Sequence, residues 1–272
     1  MENLPPVASD YISPDRPPGL VSRSLPALTF YSRLAWIVWR ASRKALAGVY
    51  DDKEWIKSSL DTVAAIEAIG GQIVIENVAA FAGVGGPAVI VGNHMSTLET
   101  FVLPSVLVPH RRMTFVVKRE LVEMPVFKHV MISRQPVVVG RANPREDLKT
   151  MMEEGEARLR AGMSLVVFPQ TTRAASFTPA EFNSIAVKLA RRAGVPVLPL
   201  ALRSDCWGIG KRIKDCGPIR PDLPVRFTFG EAMQVTGNGR ETHESIVRFI
   251  SEHLRSWDVP VHEEAESEGG AD

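Results

Sequence analysis

A histidine and a carboxylate five residues apart are the pair in this sequence best suited to acid–base chemistry. They are His94 and Glu99, in the segment 93–99 that reads NHMSTLE. An apolar run at 88–91 precedes the segment and the apolar stretch 98–107 follows it, which predicts a strand, a tight turn and a helix. A general base needs this pairing, because one imidazole nitrogen faces the substrate while the other donates its proton to the carboxylate.

The same spacing has a structural alternative. Ser96 and Glu99 form the pattern of a capping box, in which the serine caps a helix and the glutamate reaches back to the serine's backbone N–H. On this interpretation Glu99 only stabilises a helix start. Spacing alone favours the cap, because capping boxes are common, so the choice depends on the other motifs of the chain.

Composition narrows the class of protein. With 272 residues, 45% hydrophobic and 23% charged, the chain is long enough for one α/β domain with additions or for two small domains. The net charge of +1 provides no general basic field, so we expect no nucleic-acid partner. No apolar stretch approaches the ~20 residues that span a bilayer, and the first residues lack the apolar core of a signal peptide.

Several common chemistries lack their motifs. The sequence has no G-x-S-x-G of a serine hydrolase and no glycine-rich phosphate loop. Its two cysteines, Cys206 and Cys216, do not form a zinc or redox pattern, and no histidines have metal-ligand spacing. We therefore expect no metal, and a reduced, cytoplasmic setting.

The first 70 residues predict an arm followed by two helices. Residues 1–28 carry many prolines and few periodic apolar positions, which predicts an irregular arm. Residues 29–70 predict an amphipathic helical hairpin, whose second helix is opened by Asp51 and Glu54 in a capping-box pattern.

The first helix of this hairpin has two interpretations. Basic residues fall on one stripe, apolar residues fall opposite and tryptophans lie between them, which is typical of a helix in a membrane surface. The alternative is a helix that packs on its own domain and exposes its arginines to water, and both remain open. The apolar stripe consists of Tyr31, Ala35, Val38, Leu46 and Val49. The predicted membrane contacts are Tyr31, Arg33, Trp36, Trp39 and Arg40.

Strands and helices alternate from residue 71 to 258. This alternation predicts an α/β domain with a mostly parallel central sheet covered by helices, and residues 259–272 predict a disordered acidic tail. Since ligands of such sheets bind at the carboxyl ends of strands, we expect the turns at His94, Lys118 and Arg173 to meet in one cleft. Helices are expected to start near 143, 178 and 242. The predicted strands are 72–76, 87–91, 113–117, 136–139, 164–168, 195–202 and 225–229.

Four motifs occur in a definite order. After NHMSTLE come KREL at 118–121, FPQTTR at 168–173 and VPVLPL at 195–200. In order and spacing they resemble the glycerolipid acyltransferase family typified by 1-acylglycerol-3-phosphate acyltransferases. That family's first motif reads NHxSxxD, its third FPEGTR, and its fourth is a V-P-V/I-x-P strand. The similarity covers roughly residues 72–232.

The resemblance implies acyl transfer from acyl-CoA or acyl-carrier protein to the hydroxyl of a lysophospholipid, with no bound cofactor. The implied acceptor is 1-acyl-sn-glycerol-3-phosphate, and the implied place is the cytoplasmic face of the cell membrane, as a peripheral protein. His94 would deprotonate the hydroxyl and Glu99 would orient the imidazole, with backbone N–H groups after His94 as candidates for the oxyanion site. Arg173 and Lys118 match positions that face the acceptor's phosphate. The other expected substrate contacts are Asn93, Ser96, Arg119, Phe168, Pro169, Gln170, Thr171 and Thr172.

Two departures from the family's motifs bear on the substrate. Glu99 stands for the aspartate of the first motif, which keeps a carboxylate but adds one methylene. Gln170 and Thr171 stand for the glutamate and glycine of the third motif, which removes a charge beside Arg173. Two alternatives follow: the same reaction on another lysolipid, such as one linked to ornithine, or a catalytically weak relative that binds lipid.

Overall fold

The computed structural model describes residues 9–140, 143–170 and 172–263. Within these residues eight strands form one sheet in the order β1-β2-β8-β7-β3-β6-β4-β5, with helices packed around it. The strands are β1 (Tyr11–Ile12), β2 (Ile73–Glu76), β3 (Val89–Gly92), β4 (Met113–Lys118), β5 (Val137–Val139), β6 (Ser164–Val167), β7 (Val197–Arg203) and β8 (Val225–Phe229). The helices are α1 (Leu20–Ser24), α2 (Pro26–Leu46), α3 (Asp52–Glu67), α4 (Val78–Ala82), α5 (Leu98–Leu107), α6 (Arg119–Glu123), α7 (Lys128–Ser133), α8 (Pro144–Arg160), α9 (Ile185–Ala193) and α10 (Arg240–Ser256).

The predicted fold class is confirmed: the sheet is mostly parallel. Strands β7, β3, β6, β4 and β5 are parallel neighbours, and β8 turns the direction by pairing antiparallel with β7. Every residue of β3 and β6 is buried, as expected for central parallel strands covered on both faces. Each predicted strand lies within two residues of an observed one. The edge at which β3, β4, β6 and β7 end is called the carboxyl edge below.

The described part of the N-terminal arm is more regular than predicted. β1 pairs antiparallel with β2, and α2 already begins at Pro26, a residue that suits the first turn of a helix. The Tyr11 hydroxyl donates to Glu67 Oε1 at 2.6 Å, which ties this segment to α3. The prediction of an irregular arm is therefore wrong for residues 11–12 and from Leu20 onward, and residues 1–8 lie outside the described residues.

Most of the apolar stripe predicted on the first helix does not pack on the domain. Ala35, Leu46 and Val49 are exposed. The buried residues of α2 instead follow a spacing of three and four residues, which puts them on one helical face. The buried apolar residues are Phe30, Leu34, Ile37, Val38 and Ala41.

Two of the five residues predicted to contact the membrane form contacts within the protein. The Tyr31 hydroxyl donates to the Gly217 carbonyl at 2.6 Å, and Arg40 forms an ion pair with Asp61 on α3. Arg33, Trp36 and Trp39 are exposed. Among the described residues, no helix is both long enough and apolar enough to cross a bilayer.

Two further boundaries differ from prediction. The helix expected from residue 178 is a short 3-10 turn, Pro179–Glu181, followed by α9 from Ile185. The break occurs where Phe182 is buried against Phe177. Residues 259–263 are not a free tail: the Phe177 N–H donates to the Pro260 carbonyl at 2.9 Å. Residues 264–272 lie outside the described residues.

Candidate active site

Four parallel strands deliver polar side chains to the carboxyl edge. His94 follows β3, Lys118 ends β4, the 168–173 segment follows β6, and Ser204 follows β7. These strands are neighbours in the order β4-β6-β3-β7, so their ends lie side by side. The structure thus brings together turns that are up to 110 residues apart in the chain, from 94 to 204.

His94 and Glu99 are in direct contact. The imidazole Nδ1 lies 2.6 Å from Glu99 Oε2, and Glu99 is fully buried while 21% of the His94 side chain remains exposed. A carboxylate at Nδ1 selects the tautomer that carries its proton there and leaves Nε2 unprotonated. The ring is therefore oriented to accept a proton at Nε2.

The other Glu99 oxygen organises the turn. Oε1 accepts hydrogen bonds from the backbone N–H groups of Met95 and Ser96, both at 2.8 Å, and from the Ser204 hydroxyl at 2.5 Å. The contact with Ser96 N–H is the reciprocal half of a capping box. The two interpretations of the spacing are thus compatible, because one carboxylate oxygen closes the turn and the other holds the imidazole.

Three backbone N–H groups of the turn already have hydrogen-bond acceptors. The N–H groups of Met95 and Ser96 already donate hydrogen bonds to Glu99, and the His94 N–H donates to Gln170 Oε1 at 2.7 Å. None of the three is available to a developing oxyanion without breaking an existing hydrogen bond.

Phe168 and Gln170, from the segment after β6, contact His94. The Phe168 ring is stacked on the His94 ring at 4.5 Å and 6° between planes, which restrains the ring's tilt. Gln170 supplies the neutral acceptor for the His94 N–H described above. Pro169 is buried and its carbonyl accepts a hydrogen bond from Asn183. Thr172 is exposed, and Thr171 lies outside the described residues.

The side chains of Asn93 and Ser96, both predicted to contact the substrate, form hydrogen bonds within the protein. The Asn93 side chain donates to the Leu202 carbonyl at 2.8 Å and accepts from the Leu202 N–H at 2.9 Å, so it links β3 to β7. The Ser96 hydroxyl donates to Ser204 at 2.9 Å and accepts from the Leu98 N–H. Both residues are almost completely buried and serve the architecture of the turn.

Arg173 is held by an acidic residue that sequence reasoning missed. Its Nη1 donates to Asp215 Oδ1 at 2.6 Å and also contacts the Thr97 hydroxyl, which itself donates to the same Asp215 oxygen at 2.6 Å. Burial raises the pKa of the Asp215 carboxyl, but hydrogen bonds from Thr97 and Arg173 and the charges of Arg173 and Lys118 outweigh it and lower the pKa overall. The Arg173 guanidinium at the carboxyl edge thus already binds an anionic group.

The two remaining basic residues of this edge differ in position. Lys118 is half-buried, and its charge acts on Asp215. Arg119 begins α6, is exposed, and has its guanidinium beside Gly140. Lys118 therefore belongs to the Arg173 cluster more clearly than Arg119 does.

Three contributors were missed: Thr97, Ser204 and Asp215. Thr97 occupies a variable position inside the first motif, and Ser204 could have been suspected because it directly follows a strand. Asp215 lies in a long connection between β7 and β8 and has no sequence signal. Among the described residues, no group of three or more acidic, histidine or cysteine side chains is placed to bind a metal ion.

Comparison with known proteins gives three findings. Residues 72–203 match the family model described as Acyltransferase. A 1-acyl-sn-glycerol-3-phosphate acyltransferase of Pseudomonas aeruginosa is 31% identical over 172 residues, covering 62% of this chain and 64% of that protein. A probable 1-acyl-sn-glycerol-3-phosphate acyltransferase of Mycoplasma pneumoniae is 35% identical over 118 residues, covering 42% and 43%. The matches therefore span less than two thirds of either relative.

The fold is similar to one known from crystallography. The crystal structure of the 1-acyl-sn-glycerophosphate (LPA) acyltransferase, PlsC, from Thermotoga maritima superposes with a TM-score of 0.62. The superposition covers 87% of this chain and 96% of that one, at 19% sequence identity. At this identity the similarity concerns the fold.

The structural role of Asn93 can be tested by stability. Asn93→Ala is expected to lower the free energy of unfolding by about 1–3 kcal/mol, because it leaves the buried N–H and carbonyl of Leu202 unpaired. Urea denaturation measures the change. The control Asn238→Ala removes one exposed hydrogen bond and should cost less. Equal stability of Asn93→Ala and the wild type would contradict this role.

Proposed function

We propose that the protein is an O-acyltransferase that esterifies the hydroxyl of a lysophospholipid, and the match of residues 72–203 to the acyltransferase family model supports this. One observation carries the proposal: a partly exposed imidazole, paired through Nδ1 with a buried carboxylate, lies on the same sheet edge as Arg173 and Lys118. A base and an anion-binding group side by side suit an acceptor that carries both a hydroxyl and a phosphate.

The proposed reaction needs one general base. A neutral alcohol is a poor nucleophile, so His94 Nε2 takes the hydroxyl proton while the oxygen attacks the carbonyl of a thioester. Glu99 stabilises the imidazolium that forms. The proton then leaves with the thiolate of the donor. Since a thioester is already activated, the step needs no covalent enzyme intermediate.

The proposed acceptor is 1-acyl-sn-glycerol-3-phosphate. Arg173 offers a planar guanidinium suited to phosphate oxygens, and Lys118 adds charge to the same cluster. The names of the Pseudomonas and Mycoplasma relatives point to the same acceptor. The neutral Gln170 in the third motif keeps another lysolipid head group as the alternative.

The proposed donor is acyl-CoA or acyl-carrier protein, used as a co-substrate without a bound cofactor. The proposed place is the cytoplasmic face of the cell membrane. Support comes from α2, where Trp36 and Trp39 stack at 4.8 Å and are 58% and 49% exposed. The Arg43 guanidinium lies 5.5 Å from the Trp39 ring centre, which gives the surface a cationic rim beside its aromatic residues.

His94→Ala tests the reaction. Loss of the general base is expected to lower kcat by about 10²–10⁴-fold, measured as thiol release from acyl-CoA with 1-acyl-sn-glycerol-3-phosphate as acceptor. The matched control is His253→Ala, on α10, whose imidazole hydrogen-bonds to the Phe249 carbonyl. Unchanged turnover in a folded His94→Ala protein would remove His94 from the mechanism.

Arg173→Ala tests recognition of the phosphate. The KM for the phosphate-bearing acceptor should rise by about tenfold or more, because a hydrogen bond to a charged group contributes about 1.5–3 kcal/mol. The KM for acyl-CoA should stay near the wild-type value. Arg192→Ala, which removes an ion pair with Glu156, is the matched control. A similar rise in both KM values would show that Arg173 does not read the head group.

The Trp36→Ala/Trp39→Ala double variant tests the membrane surface. Removing two exposed indole rings should weaken co-sedimentation with anionic phospholipid vesicles by about tenfold or more. Leu148→Ala, which removes an exposed apolar side chain from α8, should leave co-sedimentation unchanged. Equal binding of the double variant and the wild type would favour a helix that serves only the protein's own packing.

A further inference from the structure

The connection that carries Asp215 is a folded hairpin, here called the 206–220 arm. Its two sides are joined by hydrogen bonds from the Gly208 N–H to the Pro218 carbonyl at 2.9 Å and from the Arg220 N–H to the Cys206 carbonyl at 2.8 Å. Gly217 packs so closely on Gly208 that a Cβ there would lie 1.8 Å from the Gly208 oxygen. The arm therefore has a defined shape.

The arm is anchored at its base by aromatic packing. The Trp207 ring lies 5.1 Å from Phe30 and 6.1 Å from Tyr31, both on α2, and 5.9 Å from Phe101 on α5. The hydrogen bond from Tyr31 to Gly217 adds a second fixed point. This packing keeps Asp215, near the tip, within reach of the carboxyl edge.

Asp215 is bound as an external anion would be. Its Oδ1 accepts hydrogen bonds from both Arg173 and Thr97, which lie in the segments that follow β6 and β3. The Asp215 side chain is 44% exposed whereas that of Arg173 is 16% exposed. The carboxylate therefore lies on the solvent side of a fixed guanidinium, where it can leave without opening the core.

We propose that Asp215 is a specificity-determining residue whose carboxylate competes with the acceptor's phosphate for Arg173 and Thr97. This inference rests on the proposed function, since it concerns the head group of that acceptor. A phosphate that displaces the carboxylate gains both donors. A ligand without a phosphate leaves the contact between the arm and Arg173 intact.

Competition follows from charge and geometry. The Arg173 Nη1 that binds Asp215 is one of the nitrogens that would form a bidentate pair of hydrogen bonds with phosphate. A phosphate bound beside the carboxylate would place like charges within a few ångströms of each other, which is unfavourable near a partly buried site. The two anions therefore exchange rather than bind together.

Asp215→Asn tests the competition in the full-length protein. The amide keeps the size of the side chain but removes its charge, so glycerol 3-phosphate should bind about three- to tenfold more tightly. Binding is measured from the rise in unfolding temperature with ligand concentration. Glycerol, which lacks the phosphate, should give no difference between the variants. Asp222→Asn makes the same change at an exposed position outside the site and should behave like the wild type.

Kinetics separate this inference from the proposed function. With Asp215→Asn the KM for 1-acyl-sn-glycerol-3-phosphate should fall by a similar factor while the KM for acyl-CoA is unchanged. Unchanged or weaker binding of glycerol 3-phosphate by Asp215→Asn would overturn the competition and leave Asp215 as a support for Arg173. Tighter binding with no acylation by the wild type would uphold the competition and refute the proposed function.

Discussion

A buried carboxylate is stable only when hydrogen bonds replace the water it has lost. Glu99 meets this condition with donors that follow two neighbouring strands of the sheet. The N–H groups of Met95 and Ser96 come from the turn after β3, and the Ser204 hydroxyl comes from the end of β7. The His94 imidazole completes the set at 2.6 Å. The demand for these donors fixes the backbone of the turn and the direction of the imidazole together.

The sequence predicted the parts of the site that follow from period and strand order. Buried strands of four to seven residues have a clear apolar signal, and parallel strands bring their carboxyl ends together, so the approach of His94 and Phe168 could be expected. Contacts such as Asp215 with Arg173 could not, because they depend on the path of the 206–220 arm. A motif also does not show which way a side chain points. Asn93 was therefore predicted to contact the substrate, whereas its side chain links two strands.

The N-terminal helices show a second limit of sequence patterns. An amphipathic period predicts that a helix forms, but the elements that pack against the helix decide which of its faces is buried. On α2 the partners are α3, α7 and Trp207, which lies more than 170 residues away in the chain and packs edge-on against Phe30. A similar effect divides the helix expected from residue 178, because burial of Phe182 against Phe177 fixes the chain before α9 begins. Tertiary packing thus overrides local pattern where large aromatic residues are involved.

Because β8 pairs antiparallel with β7, β2 and β8 end at the edge of the sheet opposite the carboxyl edge. Segments that leave β2 and β8 emerge across the sheet from His94, together with the turn 83–86 that leads into β3. Gly85 and Gly86 in this turn are exposed, and the position that a Cβ would take at each is open. The length of β3, about 13 Å at 3.3 Å per residue, separates them from the imidazole. A fluorophore or fusion joint placed there would leave the chemistry undisturbed, which makes the turn a natural attachment point for immobilising or tracking this protein.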